Sequence, residues 1–353
     1  MGEHRAVRLG APLGGRGARL TSVDGAASTV RVCRVLPDVT AVERVFDYLV
    51  PDELVPTLAV GTVVRVVLHG RRVRGWVVAL DVTSDVDPAR LRPIVGVVSA
   101  GPPPDVVALS EWIAHRWVGP RAAVLRSASA PNNVEPARLA LGGAVVHPQP
   151  PAGHRGVVPF PAPSSITDTA ADELAARVLA SQVGVVRWPP RADRRRLVAR
   201  LLAPVGSTIV LTADGDRAHA FARWLDDQGV ATALLHSDRS PAARTDAWRQ
   251  AARGSCVVVG GRMAALAPVP DLGAVVVLDD DDEALQEERS PTWHARDVAF
   301  ERARRCGAHA YVVSPAPSVQ VSNEVPGAFA PAHAFEVEGW PRVDVVDQRE
   351  LPP

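Results

Sequence analysis

The sequence predicts an α/β protein: a small β-rich domain, then a short helical module, then one lobe built on a parallel sheet. Three observations predict it. β-branched runs separated by turn residues fill residues 31–100. Apolar residues at helical spacing follow at 105–142. From 166 to 335, near-continuous apolar runs alternate with helical stretches, the pattern of a parallel sheet buried on both faces.

The elements follow in order. Residues 1–30 are rich in Gly, Ala and Arg without periodicity, and read as a disordered leader. The β-rich domain spans 31–102, with strands expected at 30–36, 62–68, 75–80 and 93–98. The link His-Gly-Arg-Arg at 69–72 is short enough for a hairpin, so a small barrel or sandwich is expected. Residues 103–142, with Val106, Leu109, Trp112, Ile113 and Trp117 near helical spacing, have the length of a winged-helix-like module. A Pro-rich linker is expected at 143–165. The lobe spans 166–335, with strands expected at 183–188, 207–212, 231–236, 256–260, 274–279 and 309–314. Helices are expected between them at 191–203, 215–228, 240–253 and 292–306, and residues 336–353 read as a tail.

Composition narrows the chemistry. The chain has 353 residues with 39 basic and 39 acidic side chains, and every basic one is arginine. No lysine is present to serve a phosphate-binding loop, a Schiff base or general-base catalysis. Cys33, Cys256 and Cys306 lie far apart, which argues against a disulfide scaffold and against a four-cysteine zinc site. A reducing cytosol is the expected compartment. No apolar run approaches the ~18 residues of a membrane span. The zero net charge hides an asymmetry: residues 54–80 hold four arginines and no acid, while 279–288 hold seven acids and no base. A local basic excess suits an anionic partner.

Two segments carry candidate chemistry. The first is Val-Val-Val-Leu-Asp-Asp-Asp-Asp at 275–282, an apolar strand ending in acids, similar to a Walker B element. There Asp279 takes the metal-proximal position and Asp280 the position of the acid that orients an attacking water. The bland alternative is a set of solvated or helix-capping acids at a strand end. A nucleotide site also needs a Gly-rich loop after the first strand, and residues 187–197 contain neither Gly nor Lys. Pro189 and Pro190 have no N–H to give a phosphate. The second segment is Phe-Asp-Tyr-Leu-Val-Pro at 46–51 with the hairpin of 61–78. Gly70 and the neighbouring Arg71, Arg72 and Arg74 can bring backbone and charge to a phosphate, and Asp47 can accept a bond from a hydroxyl. The bland alternative makes Phe46 core, Asp47 a turn residue and the arginines a solvated edge. Arg262, in a Gly-Arg turn after a strand, and Trp293, at the start of a helix, are further candidate contacts to a nucleic-acid backbone and base.

Taken together, the order of these segments over roughly residues 30–350 resembles the PriA family, the replication-restart helicases also called primosomal protein N′. The resemblance rests on 46–51, the hairpin of 61–78, and the lobe segments 234–250, 256–266, 271–283, 293–304 and 311–320. It implies a RecA-like first helicase lobe, and a protein that binds branched or forked DNA and captures a 3′ end. By motif match it implies Phe46, Asp47, Gly70 and Arg92 as the 3′-end pocket. Departures from the family pattern include the missing Gly-x-Gly-Lys loop and four aspartates, 279–282, where Asp-Glu-Glu-His is usual. Ser314-Pro315-Ala316-Pro317 also stands where Ser-Ala-Thr-Pro is usual, and the chain stops near the start of the second lobe. The expectation is therefore a degenerate, truncated member: a DNA-binding restart protein with a pseudo-ATPase lobe. No cofactor is expected, neither the ATP and magnesium nor the zinc of the family. Other primosome or single-strand-binding proteins are expected partners, and the expected location is cytoplasmic, at the nucleoid. Two alternatives stay open at this point: an active ATP-dependent 3′-to-5′ DNA helicase, and a non-functional fragment of a longer protein.

Overall fold

In the computed structural model, residues 31–39, 42–136 and 162–343 are described. The leader expected at 1–30, residues 137–161 of the module and linker, and residues 344–353 of the tail lie outside the described residues.

The N-terminal sheet is antiparallel throughout. It comprises β1 (Val32–Pro37), β2 (Phe46–Leu49), β3 (Val63–Leu68), β4 (Arg71–Leu80) and β5 (Gly96–Ser99), in the order β2-β1-β4-β3-β5. The strands alternate as a pleat requires. Cys33, Val35, Tyr48, Val64, Val66 and Val77 face one core, and Leu36, Val63 and Trp76 face another. Leu49 joins the two edges: its N–H donates to the Arg92 carbonyl (3.0 Å) and its carbonyl accepts from Ile94 (3.0 Å). This one parallel bridge ties β2 to the segment before β5 and partly covers the two edges of the sheet. The β3–β4 link tightens to two residues, His69 (φ 47°) and Gly70 (φ 79°). A two-residue hairpin loop of this twist needs positive φ at both positions, which glycine meets without cost.

Two helices follow, α1 (Pro104–Arg116) and α2 (Arg121–Ala128), and no strand accompanies them among the described residues to 136. They have apolar groups on two sides. Val107, Ala122 and Leu125 cover the second face of the antiparallel sheet. Val106, Leu109, Ile113, Val124 and Ala128 enter the core of the lobe instead. Polar ties reinforce the second contact: Trp248 Nε1 donates to the Ala128 carbonyl (2.9 Å), and buried Arg302 binds Asp105 (2.9 Å) and the carbonyls of residues 265, 267 and 269.

The lobe starts with α3 (Ile166–Val178) and builds a parallel sheet of β6 (Val183–Arg187), β7 (Ser207–Leu211), β8 (Thr232–Leu235), β9 (Val257–Gly260), β10 (Leu272–Leu278) and β11 (His309–Ser314). The strand order is β6-β11-β10-β7-β9-β8. Successive residues of one strand enter opposite cores, Val275 and Val277 on one side and Val276 on the other, which is why these strands read as unbroken apolar runs. Helices α4 (Arg195–Arg200), α5 (Gly215–Asp227), α6 (Pro241–Ala252), α7 (Ala295–Cys306), α8 (Val319–Glu324) and α9 (His333–Glu338) complete it. Side chains of Ser165, Asp214, Ser240 and Ser318 cap the N-termini of α3, α5, α6 and α8. Three differences from the sequence expectation stand out. β2 and α3 were not foreseen as elements. The helix expected at 191–203 shrinks to α4, with the chain before it in a turn and the Asp193 carboxylate accepting the Arg195 N–H (2.9 Å) where the helix begins. And α9 crosses the boundary expected at 335, with Phe335 packed on Trp188 (5.3 Å between ring centroids).

Candidate nucleic-acid interface and strand-end cleft

The expected end-binding residues lie on β2, on the β3–β4 turn and on the segment before β5. Phe46 and Asp47 open β2; Phe46 is half-buried, while Tyr48 between Asp47 and Leu49 is core. The Tyr48 hydroxyl donates to the Val67 carbonyl of β3 (3.2 Å), three residues before Gly70. Arg92 is exposed, and its carbonyl holds the Leu49 N–H. Thus β2, the end of β3 and the approach to β5 run side by side, with the Gly70 turn at their end. A Cβ on Gly70 would meet nothing within 4 Å, so the turn is open to a ligand, and its positive φ is what calls for glycine. Asp47 is not solitary. Arg34, directly opposite on β1, binds it through Nε to Oδ1 (2.8 Å) and Nη2 to Oδ2 (3.3 Å). These Arg34 bonds hold the Asp47 carboxyl below the usual carboxylate range.

The arginines of the hairpin form a face. Arg65 of β3 stands opposite Arg74 of β4, and Val67 opposite Arg72, so the period-two pleat puts Arg65, Arg72 and Arg74 on one side. All three are exposed, as is Arg71 at the turn. Arg74 donates to Asn133 Oδ1 (2.6 Å), and none of the three forms an ion pair among the described residues. Arg65 escaped the sequence reading, although its place in Val-Val-Arg-Val-Val gives an outward position by alternation alone. Arg34 escaped it too, and its pairing with Asp47 depends on strand register, which no local pattern reveals.

At the other candidate site, parallel strands deliver the residues after β6, β10 and β11 to one edge of the sheet, where α/β proteins form their crevices. A cleft of about 710 Å³ lies there, lined among others by Trp188, Pro189, Pro190, Arg194, Arg217, Asp279, Ser314 and Trp340. Both oxygens of Asp279 are taken by the Arg194 fork, Nη1 to Oδ1 at 2.7 Å and Nη2 to Oδ2 at 2.6 Å, with Arg217 at 3.4 Å. Asp280 is 1% exposed and belongs to a buried network. It accepts from Arg296 Nη1 (2.9 Å), from Ser318 Oγ (2.5 Å) and from the Ser318 N–H (3.2 Å). In the loop after β6, the amides of Trp188, Arg191, Ala192 and Arg195 all donate to nearby carbonyls or to Asp193.

One expected contact is corrected, that of Trp293, and Arg262 is found in a pairing the sequence did not show. Trp293 is 1% exposed and sits in the core beneath the acidic segment, so it offers no ring face to a base. Arg262 is committed to that segment, binding Glu287 (3.3 Å) and the Ala284 carbonyl (3.2 Å). Among the described residues, no group of three or more His, Cys, Asp or Glu side chains is arranged to hold a metal ion, and no helix is long and apolar enough to cross a membrane.

Comparison with known proteins gives a consistent likeness. A family model described as the 3′ DNA-binding domain of PriA matches residues 34–130. That span runs through both the antiparallel sheet and helices α1 and α2, across the boundary expected at 102. The probable replication restart protein PriA of Mycobacterium tuberculosis is 32% identical over 319 residues, 87% of this chain and 45% of that protein. The PriA of Mycobacterium leprae is 30% identical over 325 residues, 88% of this chain and 46% of that protein. The chain thus spans about half the length of these relatives. Among solved structures, the Hef helicase domain of Pyrococcus furiosus aligns with a TM-score of 0.34 and 12% identity, over 48% of this chain and 39% of that one.

Proposed function

We propose, from the likeness of this chain to PriA proteins, that it is a member of that family and binds forked or branched DNA by capturing a 3′-hydroxyl end, with a lobe that scaffolds and does not turn over ATP. The observation that carries the DNA reading is the seam at Leu49. It ties β2, which carries Phe46 and Asp47, to the Arg92 backbone, and the Tyr48 hydroxyl reaches β3 three residues before the Gly70 turn, all within the span matched by the 3′ DNA-binding domain. Asp47 accepts the terminal hydroxyl there, Phe46 offers a ring edge to the last sugar or base, and the open Gly70 turn admits the chain end closely. Arg65, Arg72 and Arg74 bind the phosphates leading to it. Arg65 and Arg74 face each other across the strands, and like charges so placed destabilise a sheet until an anion bridges them.

The strand-end cleft does not fit a magnesium nucleotide. Asp279 is neutralised by an internal guanidinium fork, and Asp280 is buried against Arg296 and Ser318. A phosphate nest needs free backbone amides. In the loop after β6 two prolines have none, and the amides of residues 188, 191, 192 and 195 are already engaged. These features support a lobe that holds its shape without a nucleotide and offers its surface to DNA and to other restart or single-strand-binding proteins. The protein then works in the cytoplasm, at the nucleoid.

The test is fluorescence anisotropy on forks whose 3′ end is a hydroxyl or is blocked. The wild type should prefer the hydroxyl, and Asp47→Ala should remove that preference, a loss of about tenfold or more for a hydrogen bond to a charged group. Equal binding to both ends by the wild type refutes the assignment.

A further inference from the structure

An acid in a DNA-end pocket poses a physical problem: an exposed carboxylate repels the phosphates that must lie beside it. The structure answers it with the cross-strand pair. Arg34 and Asp47 are directly opposed in register, and the Asp47 side chain is 13% exposed against 39% for Arg34. The guanidinium therefore shields the acid and keeps one side open to solvent. On that open side Arg34 lines a separate cleft of about 1080 Å³ together with Arg44, His115 and Arg121. The acceptor count is also informative. A carboxylate has about four lone-pair sites. Arg34 takes two of them, Oδ1 from Nε and Oδ2 from Nη2, which leaves lone pairs for a further donor.

We propose that Arg34 is the positioning residue of the 3′-end site: its fork orients the Asp47 carboxylate and cancels its charge against the DNA, so that selection of a hydroxyl end is a property of the pair. This rests on Asp47 being the acceptor of the terminal hydroxyl. A 3′-hydroxyl supplies a donor to the free lone pairs of the pair, while a 3′-deoxy end supplies none and a 3′-phosphate adds negative charge. The pair is also electrically near neutral, so phosphates on either side are not pushed away.

The experiment measures affinity of the full chain for forked oligothymidylate ending in 3′-hydroxyl, 3′-deoxy or 3′-phosphate. Variants are Arg34→Ala, Arg34→Lys, Asp47→Ala, Asp47→Asn and Arg34→Ala/Asp47→Asn, each checked for a wild-type unfolding midpoint. Arg34→Ala should lower affinity for all three ends and cut the hydroxyl-to-deoxy ratio from about tenfold to threefold or less. Arg34→Lys, which keeps the charge and loses the fork, should recover affinity more fully than the ratio. With Asp47→Asn there is no carboxylate left to orient, so adding Arg34→Ala should leave the hydroxyl-to-deoxy ratio where Asp47→Asn put it, although affinity for all three ends falls with the lost cation. An arginine that only attracts DNA would leave the ratio unchanged when Asp47 is present as well. An unchanged hydroxyl-to-deoxy ratio in Arg34→Ala and Arg34→Lys, with the ratio lost in Asp47→Ala, overturns the role of Arg34 alone. A ratio that survives Asp47→Ala overturns the reading of Asp47, and the proposal with it.

Discussion

At the scale of single residues, the two aspartates that end β10 show how far chemistry can be read without partners. Their type and place were legible: acids at the carboxyl end of a buried parallel strand. Their state was not, because it is set by Arg194, 85 residues away in sequence, and by Arg296 and Ser318. Trp293 makes the same point from the other side, since nothing local to it marks it as core. The Arg194–Asp279 fork has a measurable consequence. Breaking a partly buried pair leaves a desolvated charge behind, so Asp279→Asn should lower stability by about 1–2 kcal/mol, between the values for surface and fully buried pairs. It should do so equally with and without magnesium-ATP. A ligand that binds the folded state raises its unfolding temperature. A nucleotide-dependent rise in the wild type that disappears in Asp279→Asn would restore the ATP site and refute the scaffold reading.

At the scale of elements, the parallel strands were legible because burial on both faces leaves no polar residue to interrupt them. β2 was not, because a four-residue strand is specified by the Leu49 seam and the Tyr48–Val67 bond rather than by its own pattern. α3 did carry a readable signal: Ser165 accepts from the Asp168 N–H, an N-cap with an acid three residues on. The hairpin β3–β4 makes the clearest prediction at this scale. Each phosphate contact contributes about 0.9 to the slope of log affinity against log salt on duplex DNA. Arg65→Ala, Arg72→Ala and Arg74→Ala should each flatten that slope by about one and weaken hydroxyl and blocked ends alike. A selective loss for hydroxyl ends would move these residues into the end pocket. The α3–α4 contact predicts the acid limb of stability. Asp172 binds Arg196 and Arg200, and the Arg196 bonds lead in lowering its pKa to about 2. Glu301 is likewise held at about 2, first by Arg304 and then by Arg305. Both values lie below those of the unfolded chain, so the stabilisation is fully present above the unfolded values and is lost as pH falls towards 2. Unfolding midpoints measured from pH 5 to pH 2 should fall in that window, and less steeply in Asp172→Asn.

At the scale of the molecule, the helical pair decides whether the antiparallel sheet and the lobe behave as one body. A separate module at 103–142 was the sequence expectation, and its length alone made that reasonable. What spacing could not reveal is that α1 presents two apolar sides, Val107 to the sheet and Val106, Leu109 and Ile113 to the lobe. Leu109 is fully buried, and removing it should cost about 2–5 kcal/mol because the surroundings relax only partly around such a cavity. The informative quantity is where that loss is felt. If α1 and α2 are common to both cores, Leu109→Ala should lower the hydrogen-exchange protection of β3 and of β10 by the same free energy, as in one cooperative unit. If β10 loses protection and β3 keeps it, the helices serve the lobe alone, and the sheet is free to reorient on them. The buried Arg302, held by Asp105 and three carbonyls of the lobe, fixes α1 to the lobe in either case, and the packing of Val107, Ala122 and Leu125 on Leu36, Val63 and Trp76, with Trp76 Nε1 donating to Ser129 Oγ (3.0 Å), favours the first outcome. In that case, under the proposed function, a fork held at its 3′ end would be presented to the lobe in one orientation, and the geometry of capture would set which part of the fork the lobe meets.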